Sequence, residues 1–261
     1  MATEMSFATL LDEAVSKPGS IHAAYSAFHG YSIGNQLLAL VQCAQRQIPV
    51  GPIATFMGWK DKGRYVKKGE KAISLCMPVT CKRRATTDDE DDATCTRFVY
   101  RSNWFVMAQT DGPDCALPAL PEWTTDLALT TLEIDRIDFT TTDGNCQGFA
   151  RGRSVAVSPV AALPHKTLFH ELAHVVIGHT AEGELTDDER TPRSLREVEA
   201  EAVALICCEA LGLDGAEYSR GYIQNWNNGS EPIPERSAQK IFKDANQILA
   251  AGRTKAEPKE E

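Results

Sequence analysis

This chain lacks the features that mark secreted, disulfide-rich and membrane-spanning proteins. No apolar run approaches transmembrane length, and no signal-peptide pattern follows Met1. The eight cysteines include no C-x-x-C pair and follow no regular spacing, which argues against a disulfide framework. Histidine is scarce as well, with six in 261 residues. We therefore expect a cytoplasmic protein that keeps its thiols reduced and has no membrane partner.

The charge of the chain is unevenly distributed along its length. The net charge of -9 argues against a simple basic nucleic-acid binder. Residues 1–110, however, contain 13 Lys and Arg against 10 Asp and Glu, whereas the remainder contains 14 against 26. Five of the ten acids in the first part form one run, Asp88–Asp92. Outside that run the first part is distinctly basic.

The length and the hydrophobic periodicity predict two domains of mixed secondary structure. Apolar residues recur at helical spacing in residues 7–15, 32–47, 167–178, 191–211 and 237–251. They alternate as in strands in residues 72–79, 97–108 and 153–158. The aromatic-rich stretch between the first two helices is interpreted as a turn. Prolines mark a linker, so we predict domains at 1–112 and 125–251, a linker at 113–124 and a disordered tail at 252–261.

Two of the scarce histidines stand four residues apart in the run His170-Glu171-Leu172-Ala173-His174, which fits the pattern H-E-x-x-H. Four residues make slightly more than one helical turn, so both imidazoles leave the same helix face. Two such nitrogens can bind one Zn²⁺, and Glu171 is placed to take a proton from a water molecule. Gly178 predicts the end of this helix. A chance match, with both histidines in a core, is the alternative.

A zinc site needs a third protein ligand, and the next predicted helix offers three glutamates. Glu197 and Glu201 are four residues apart and share a helix face, whereas Glu199 points away from it. We predict Glu197 as the ligand and Glu201 as a support that accepts the free N–H of a ligating histidine. Glu201 remains the main rival as ligand. Glu197 also fits a capping box that begins at Ser194, unless the helix begins at Thr191.

Several polar residues near these helices have roles that the spacing leaves open. If the zinc-bound water attacks a carbonyl group, the oxyanion that forms requires a hydrogen-bond donor. Three residues after the second of these helices are candidates: Tyr218, Arg220 and Tyr222. The strand at residues 153–158 is placed to align an extended substrate by edge pairing. His165 and His179 flank the motif and are interpreted as surface or packing residues.

Residues 56–71 combine cations with aromatic rings, a pairing typical of sequence-tolerant single-strand binding. The candidate DNA-binding residues in this segment are Trp59, Lys60, Arg64, Lys67, Lys68 and Lys71. Lys62, Phe56 and Tyr65 lie among them. A solvated hairpin with Trp59 in the core is an equally acceptable interpretation.

Several short runs resemble, in order and spacing, the N-terminal domain of ArdC antirestriction proteins. They are Tyr31–Asn35, Gly58–Lys60, Gly63-Arg64, Val66–Lys71 and Phe105–Thr110. The second half resembles the zincin-type metallopeptidase domain that follows in ArdC and, more distantly, the ImmA/IrrE metallopeptidases. The resemblance implies an α+β protein, with N-terminal helices on a small antiparallel sheet followed by a zincin-like metallopeptidase fold.

The resemblance also implies function. It predicts single-stranded DNA binding, protection of plasmid or phage DNA from restriction, and peptide hydrolysis. One Zn²⁺ per chain would be held by His170, His174 and Glu197, with Glu171 catalytic. Host restriction proteins are candidate substrates. Two alternatives remain: a DNA-masking protein with a structural or inactive zinc site, and a DNA-tethered protease for DNA–protein crosslinks. The acidic run at 88–92 and the loop at 183–190 depart from the family pattern.

Overall fold

A computed structural model of the chain describes residues 5–82, 94–115, 119–180, 192–229 and 232–254. The helices are α1 (Phe7–Ser16), α2 (Ser20–Phe28), α3 (Ile33–Arg46), α4 (Phe56–Asp61), α5 (Thr125–Leu132), α6 (Pro164–Ile177), α7 (Arg193–Leu211), α8 (Ala216–Gly229) and α9 (Glu235–Ala251). The strands are β1 (Ile53–Thr55), β2 (Tyr65–Val66), β3 (Ile73–Lys82), β4 (Thr94–Val106), β5 (Thr110–Asp111), β6 (Asp135–Arg136), β7 (Gly148–Arg151) and β8 (Ser154–Val157). Within the described ranges, no helix is long and apolar enough to cross a membrane.

The chain divides into two compact units. The first comprises Met1–Met5 and Leu38–Pro118, and the second comprises Ser6–Leu37 and Ala119–Glu261. This division differs from the predicted domains, because the first two helices group with the second unit and the boundary falls inside α3. The predicted α+β class is confirmed.

The first unit is built on a three-stranded antiparallel sheet in the order β1-β4-β3, with a two-stranded pair β2-β5 beside it. Alternation in β3 buries Ile73 and Leu75. The buried amide of Gln42 on α3 holds the start of this strand, because it donates to the carbonyl of Ser74 at 2.8 Å and accepts from the Ser74 N–H at 2.9 Å. Helix α3 is thereby fixed on the sheet.

Helix α7 forms the centre of the second unit, where it packs against α2, α6, α8 and α9. Every residue from Val198 to Ala210 is buried. The first helix is held at its N-terminus by Glu235 of α9, whose carboxylate accepts the backbone N–H groups of Phe7 at 3.0 Å and Ala8 at 2.8 Å. This carboxylate supplies the hydrogen bonds that the first turn of α1 cannot make internally.

A small sheet in the order β6-β8-β7 packs on α6 in the same unit. The predicted strand at residues 153–158 is β8, and it is the central strand, paired with β6 on one side and β7 on the other. The expectation that this strand aligns a substrate by edge pairing is therefore wrong. Strand β7 occupies the sheet edge instead.

The structure contains helices that the sequence interpretation did not identify. The predicted turn between the first two helices is the helix α2, which begins after Gly19 at a φ of 82° without a side-chain cap. Its start signal is therefore weak, but Ile21, Ala24, Tyr25 and Phe28 follow the helical period and are all buried. Helices α4, α5 and α8 were also missed.

The first three residues of the predicted tail have defined backbone partners. Gly252 follows α9, Arg253 forms a β-bridge with Trp123, and the Thr254 N–H donates to the Glu122 carbonyl at 2.9 Å. The first residues of the predicted tail and the last of the predicted linker are thus paired with each other. The rest of the tail, the acidic run at 88–92 and the loop at 183–190 lie outside the described residues.

Trp59 provides a test of the first unit, because its side chain is 1% exposed and its indole N–H donates to the Phe105 carbonyl at 2.8 Å. Trp59→Ala should lower the free energy of unfolding by about 3–5 kcal/mol, since it leaves a cavity and an unpaired carbonyl. Urea unfolding followed by circular dichroism measures this change. The exposed neighbour Lys60 is the control, and Lys60→Ala should change stability by about 0.5 kcal/mol or less. An unchanged midpoint for Trp59→Ala contradicts the core position.

Candidate functional site

The two histidines of the H-E-x-x-H motif lie on one face of α6. Pro164 occupies the start of this helix, three residues before the predicted stretch. Gly178 ends the helix in the left-handed conformation, as the sequence predicts. The Nε2 atoms of His170 and His174 are 3.1 Å apart, and both side chains are largely buried. The two Nε2 atoms are therefore close enough to bind the same metal ion.

Glu197 of α7 completes this group. Its Oε2 lies 3.4 Å from Nε2 of His170 and 3.7 Å from Nε2 of His174. Because α7 begins at Arg193, Ser194 lies inside the helix and the capping box with Glu197 does not form. Within the described residues, these three side chains are the group able to hold a metal ion, with ligand atoms all within 4.8 Å. Tetrahedral zinc with bonds of about 2.1 Å places its ligands roughly 3.3–3.5 Å apart, so the three donors fit this ion.

Glu201 lies behind His170 rather than beside the other ligand atoms. Its Oε1 is 3.2 Å from Nδ1 of His170, a buried nitrogen without a well-aligned hydrogen bond, and 2.5 Å from Nζ of Lys166. Its Oε2 accepts the hydroxyl of Ser219 at 2.5 Å. Both oxygens of Glu201 are thus occupied, which is the arrangement expected of a support for a ligating histidine.

A second support, which the sequence interpretation missed, lies behind His174. Nδ1 of His174 is 2.9 Å from Nδ1 of His179, and Nε2 of His179 is 3.0 Å from Oε2 of Glu199. His179 is therefore a buried partner of the site and not a surface residue, whereas His165 is exposed. Burial lowers the pKa of His179 despite the opposing effect of Glu199, so the ring is neutral at pH 7.

Glu171 lines a cleft of about 510 Å³ together with His170. Its side chain is buried, and strand β7 passes close to it. A Cβ at Gly148 would lie 2.6 Å from Cγ2 of Thr167 and 3.1 Å from Cγ of Glu171, so only glycine permits this approach. Asn145, Cys146 and Gln147, which precede β7, continue the wall of the cleft.

The carboxylates of the site have opposite electrostatic environments. Burial raises the pKa of Glu171, although the neighbouring histidines oppose this effect. The imidazole of His170, and after it that of His174, lies close to the Glu197 carboxylate and holds its pKa well below the ordinary value. Burial acts to lower the pKa of His170, but Glu197 and Glu201 raise it to about 9. The pocket therefore favours positive charge at the position of His170.

The structure separates the three residues predicted as oxyanion partners. Arg220 is buried, pairs with Glu209 and donates to the Ala14 carbonyl at 3.0 Å, so it is not available to a substrate. Tyr218 lines the cleft with 73% of its surface exposed. Tyr222 lies one helical turn further on the same face, and burial followed by repulsion from Glu197 and Glu201 raises its pKa.

The predicted DNA-binding residues of the first unit fall into two groups. Trp59 is in the core, and Arg64 is 6% exposed because its guanidinium binds the hydroxyl of Thr110 at 2.8 Å and the Gly112 carbonyl at 2.9 Å. Both therefore have structural positions. Four lysines are exposed: Lys60, Lys67, Lys68 and Lys71. Of these, Lys67 also donates to the Ala108 carbonyl at 3.1 Å.

Two aromatic rings near these lysines are open to solvent. Phe56 is 51% exposed and Tyr65 is 63% exposed. Phe56 and Lys60 are four residues apart on α4, and Tyr65 lies on β2, which contacts α4. The sequence interpretation named these rings but did not choose them. Alternation around the buried Arg64 is the signal that would have placed Tyr65 outside.

Comparison with known proteins finds one matching family model and two matching crystal structures. Residues 12–105 match the N-terminal domain of anti-restriction factor ArdC. No curated protein sequence matches the chain significantly. The crystal structure of the antirestriction ArdC protein from the R388 plasmid in its metal-free form has 19% identity and a TM-score of 0.52, and the match covers 94% of each chain. Its Mn(II)-bound form has 17% identity and a TM-score of 0.51, covering 94% of this chain and 97% of that one.

The resemblance inferred from short sequence runs is therefore confirmed. The family match covers the region in which nearly all of those runs lie, and the structural match covers 94% of the chain. Residues 12–105 thus match the model of the ArdC N-terminal domain, and the chain has the fold of ArdC along almost its whole length.

Proposed function

We propose that this protein is an antirestriction protein that binds single-stranded DNA and hydrolyses peptide bonds at a zinc site. The observation that carries the proposal is the convergence of two imidazole nitrogens and one carboxylate oxygen beside a buried glutamate in a cleft. Three ligands with a free fourth position are typical of catalytic zinc, whereas structural zinc has four protein ligands. A zincin-like fold for the second unit is part of this proposal.

The donor set favours zinc, although it accepts other divalent ions. Two histidines and one glutamate, here His170, His174 and Glu197, form a ligand set found in zinc peptidases. The relative from the R388 plasmid has a Mn(II)-bound structure, which supports a divalent ion in a protein of this fold. Imidazole nitrogens bind zinc more strongly than manganese, and this preference supports zinc.

A bound zinc ion would polarise the scissile carbonyl and make water more acidic. Glu171 then accepts a proton from the attacking water and transfers it to the leaving amine. Burial raises the pKa of Glu171, which makes its carboxylate a stronger base for the first of these steps. Tyr218 and Tyr222 face this region with phenol groups that can donate a hydrogen bond to the developing oxyanion.

The outer edge of β7 is the element suited to align a peptide. This strand ends the sheet, and Gly148 at its start lines the cleft within contact distance of Glu171. An extended substrate that adds to this edge places its backbone along the cleft wall. The wall presents mainly polar groups, including Asn145, Gln147 and Lys166.

The first unit is proposed to bind single-stranded DNA through its exposed lysines and exposed aromatic rings. Lysines contact phosphates, and rings such as Phe56 and Tyr65 stack on unpaired bases. Their exposure supports this assignment, whereas the burial of Trp59 and Arg64 excludes those two from stacking or phosphate contact in this structure. The same surface favours a second function, in which the protein protects DNA by masking it and the peptidase is not required.

The first prediction concerns metal content. Purified wild-type protein should contain about one zinc ion per chain, and His174→Ala should lose it because two ligands alone bind weakly. Elemental mass spectrometry measures the zinc content of protein that was prepared without chelators. His165→Ala is the matched control, since His165 is an exposed histidine on the same helix and should leave the zinc content unchanged. Wild-type protein that binds no divalent ion would contradict the proposed metal site.

The second prediction separates hydrolysis from masking. Glu171→Gln keeps the shape of the side chain and removes the base, so it should lower peptide hydrolysis by about 10²–10⁴-fold. Zinc content and DNA affinity should stay near the wild-type values. Plasmid transfer into restricting and non-restricting hosts then measures protection. If hydrolysis protects DNA, plasmid transfer with the Glu171→Gln variant should be reduced in the restricting host and unchanged in the non-restricting host.

The exposed carboxylate Glu217 offers the control, and Glu217→Gln should protect as wild type does. Protection by Glu171→Gln at the wild-type level, combined with failure of a DNA-binding variant, would establish masking in place of hydrolysis.

The third prediction concerns DNA. The double variant Lys67→Ala, Lys68→Ala should bind single strands more weakly, and the log–log salt dependence should fall by about 0.7 for each phosphate that the protein no longer neutralises. Tyr65→Ala should cost roughly 1–3 kcal/mol in binding if its ring stacks on a base. Fluorescence anisotropy with a labelled oligonucleotide at several salt concentrations measures both effects.

The control removes the same charge from the second unit. Lys17→Ala, Lys243→Ala alters two exposed lysines there and should leave affinity unchanged. Equal weakening by both double variants would show a general charge effect, and no weakening in a folded Lys67/Lys68 variant would reject this surface.

A further inference from the structure

A chain of buried hydrogen bonds runs from the metal centre into the core of the second unit. It begins at Nδ1 of His174, on the side of the ring opposite the candidate metal, and passes 2.9 Å to Nδ1 of His179. It continues 3.0 Å from Nε2 of His179 to Oε2 of Glu199. The side chains of His179 and Glu199 are 3% and 1% exposed, so water does not compete for these contacts.

The end of α6 brings His179 to this position. Gly178 adopts a φ of 96°, which reverses the chain just after the helix. The N–H groups of Gly178 and His179 both donate to the carbonyl of His174, the second at 2.8 Å. This reversal places the His179 ring beside the His174 ring, with centroids 5.1 Å apart. A residue other than glycine at 178 would be strained in this conformation.

The hydrogen-bond pattern determines which nitrogens carry protons. A histidine that binds metal through Nε2 must have its hydrogen on Nδ1, so Nδ1 of His174 is the donor in its contact with His179. Nδ1 of His179 is then the acceptor, and the hydrogen of that ring is on Nε2. This second N–H donates to the carboxylate of Glu199. Each contact thus has one donor and one acceptor, and the chain ends on an anion.

We propose that Glu199 and His179 are positioning residues that hold His174 in its metal-binding tautomer and orientation. The proposal rests on the metal site proposed above and deepens it. The two ligating histidines then have different supports on α7, since His170 faces Glu201 directly and His174 reaches Glu199 through a second imidazole. Supports of this kind typically change metal affinity by about 10–100-fold.

Metal affinity is the quantity that tests this proposal. Competition titration with zinc, and separately with Mn(II), should give a dissociation constant about 10–100-fold higher for His179→Ala than for wild type. Glu199→Gln should weaken binding in the same direction, because the chain loses its negative end. Asn at 179 places an amide oxygen near the former Nδ1, so His179→Asn should recover part of the affinity without reaching Glu199.

A matched control separates positioning from a loss of fold stability. Glu209 is a second buried carboxylate on α7, paired with Arg220 and distant in sequence from the metal ligands. Glu209→Gln should lower the melting temperature of the metal-free protein as Glu199→Gln does, yet leave metal affinity unchanged. A folded His179→Ala with wild-type affinity, or equally reduced affinity in the two glutamate variants, overturns the proposal.

Nuclear magnetic resonance of the metal-free protein provides a readout that does not require metal. Long-range ¹H–¹⁵N spectra should show His174 with its proton on Nδ1, and this preference should disappear in His179→Ala. A wild-type His174 protonated on Nε2 instead overturns the positioning proposal. Wild-type protein with the expected tautomer that binds neither zinc nor Mn(II) supports the positioning contact and overturns the proposed function.

Discussion

The burial of negative charge on one helix is the constraint on which the second unit depends. Helix α7 is buried from Val198 to Ala210, yet it carries four carboxylates in or next to that segment: Glu197, Glu199, Glu201 and Glu209. A carboxylate removed from water destabilises a fold by several kcal/mol unless cations or hydrogen-bond donors replace the water. Each glutamate therefore needs a partner from another element, and these partners connect the helices around α7.

The same requirement produces both the scaffold and the site. Glu209 pairs with Arg220 of α8 and accepts the Ile21 N–H of α2 at 3.0 Å, so one carboxylate joins three helices. Glu201, two turns earlier, pairs with Lys166 of α6. Glu197, one further turn toward the start of α7, faces the imidazoles of His170 and His174. The partners thus change along the helix from permanent cations to nitrogens that can bind a metal. The packing around Glu209 in the C-terminal part of α7 fixes the helix and therefore the position of Glu197 near its start.

The sequence predicted the parts of the site that depend on helical spacing. The face shared by His170 and His174, the helix end at Gly178 and the choice of Glu197 over Glu199 for that face all follow from a period of 3.6 residues. The contact between His179 and Glu199 does not follow from this period. It requires the left-handed turn at Gly178, which positions His179, and the packing of α7, which brings Glu199 near. A pattern within one element does not contain that information.

In the first unit, too, the sequence does not determine which side chains are buried. Cations and aromatic rings alternate between residues 56 and 71, so composition identifies a surface segment but does not say which ring faces solvent. Trp59 is buried because α4 packs it toward β4, where the Phe105 carbonyl accepts its N–H. Tyr65, six residues later on β2, is open. The grouping of the first helices with the second unit was hidden for the same reason, since it depends on contacts such as those of Glu235 with α1.

The two glutamates nearest the histidines illustrate how environment assigns roles to identical side chains. Glu197 is partly exposed, and its Oε2 lies 3.4 Å and 3.7 Å from two imidazole nitrogens, which stabilise its anion and make it a suitable ligand. Glu171 is more buried and faces the cleft, and burial destabilises its anion and raises its pKa. A carboxylate that holds a cation must stay ionised, whereas one that accepts a proton from water is a stronger base when its anion is less stabilised. The opposite directions of the two pKa shifts therefore agree with the geometry, which places an oxygen of Glu197 beside the two imidazoles and the side chain of Glu171 at the cleft.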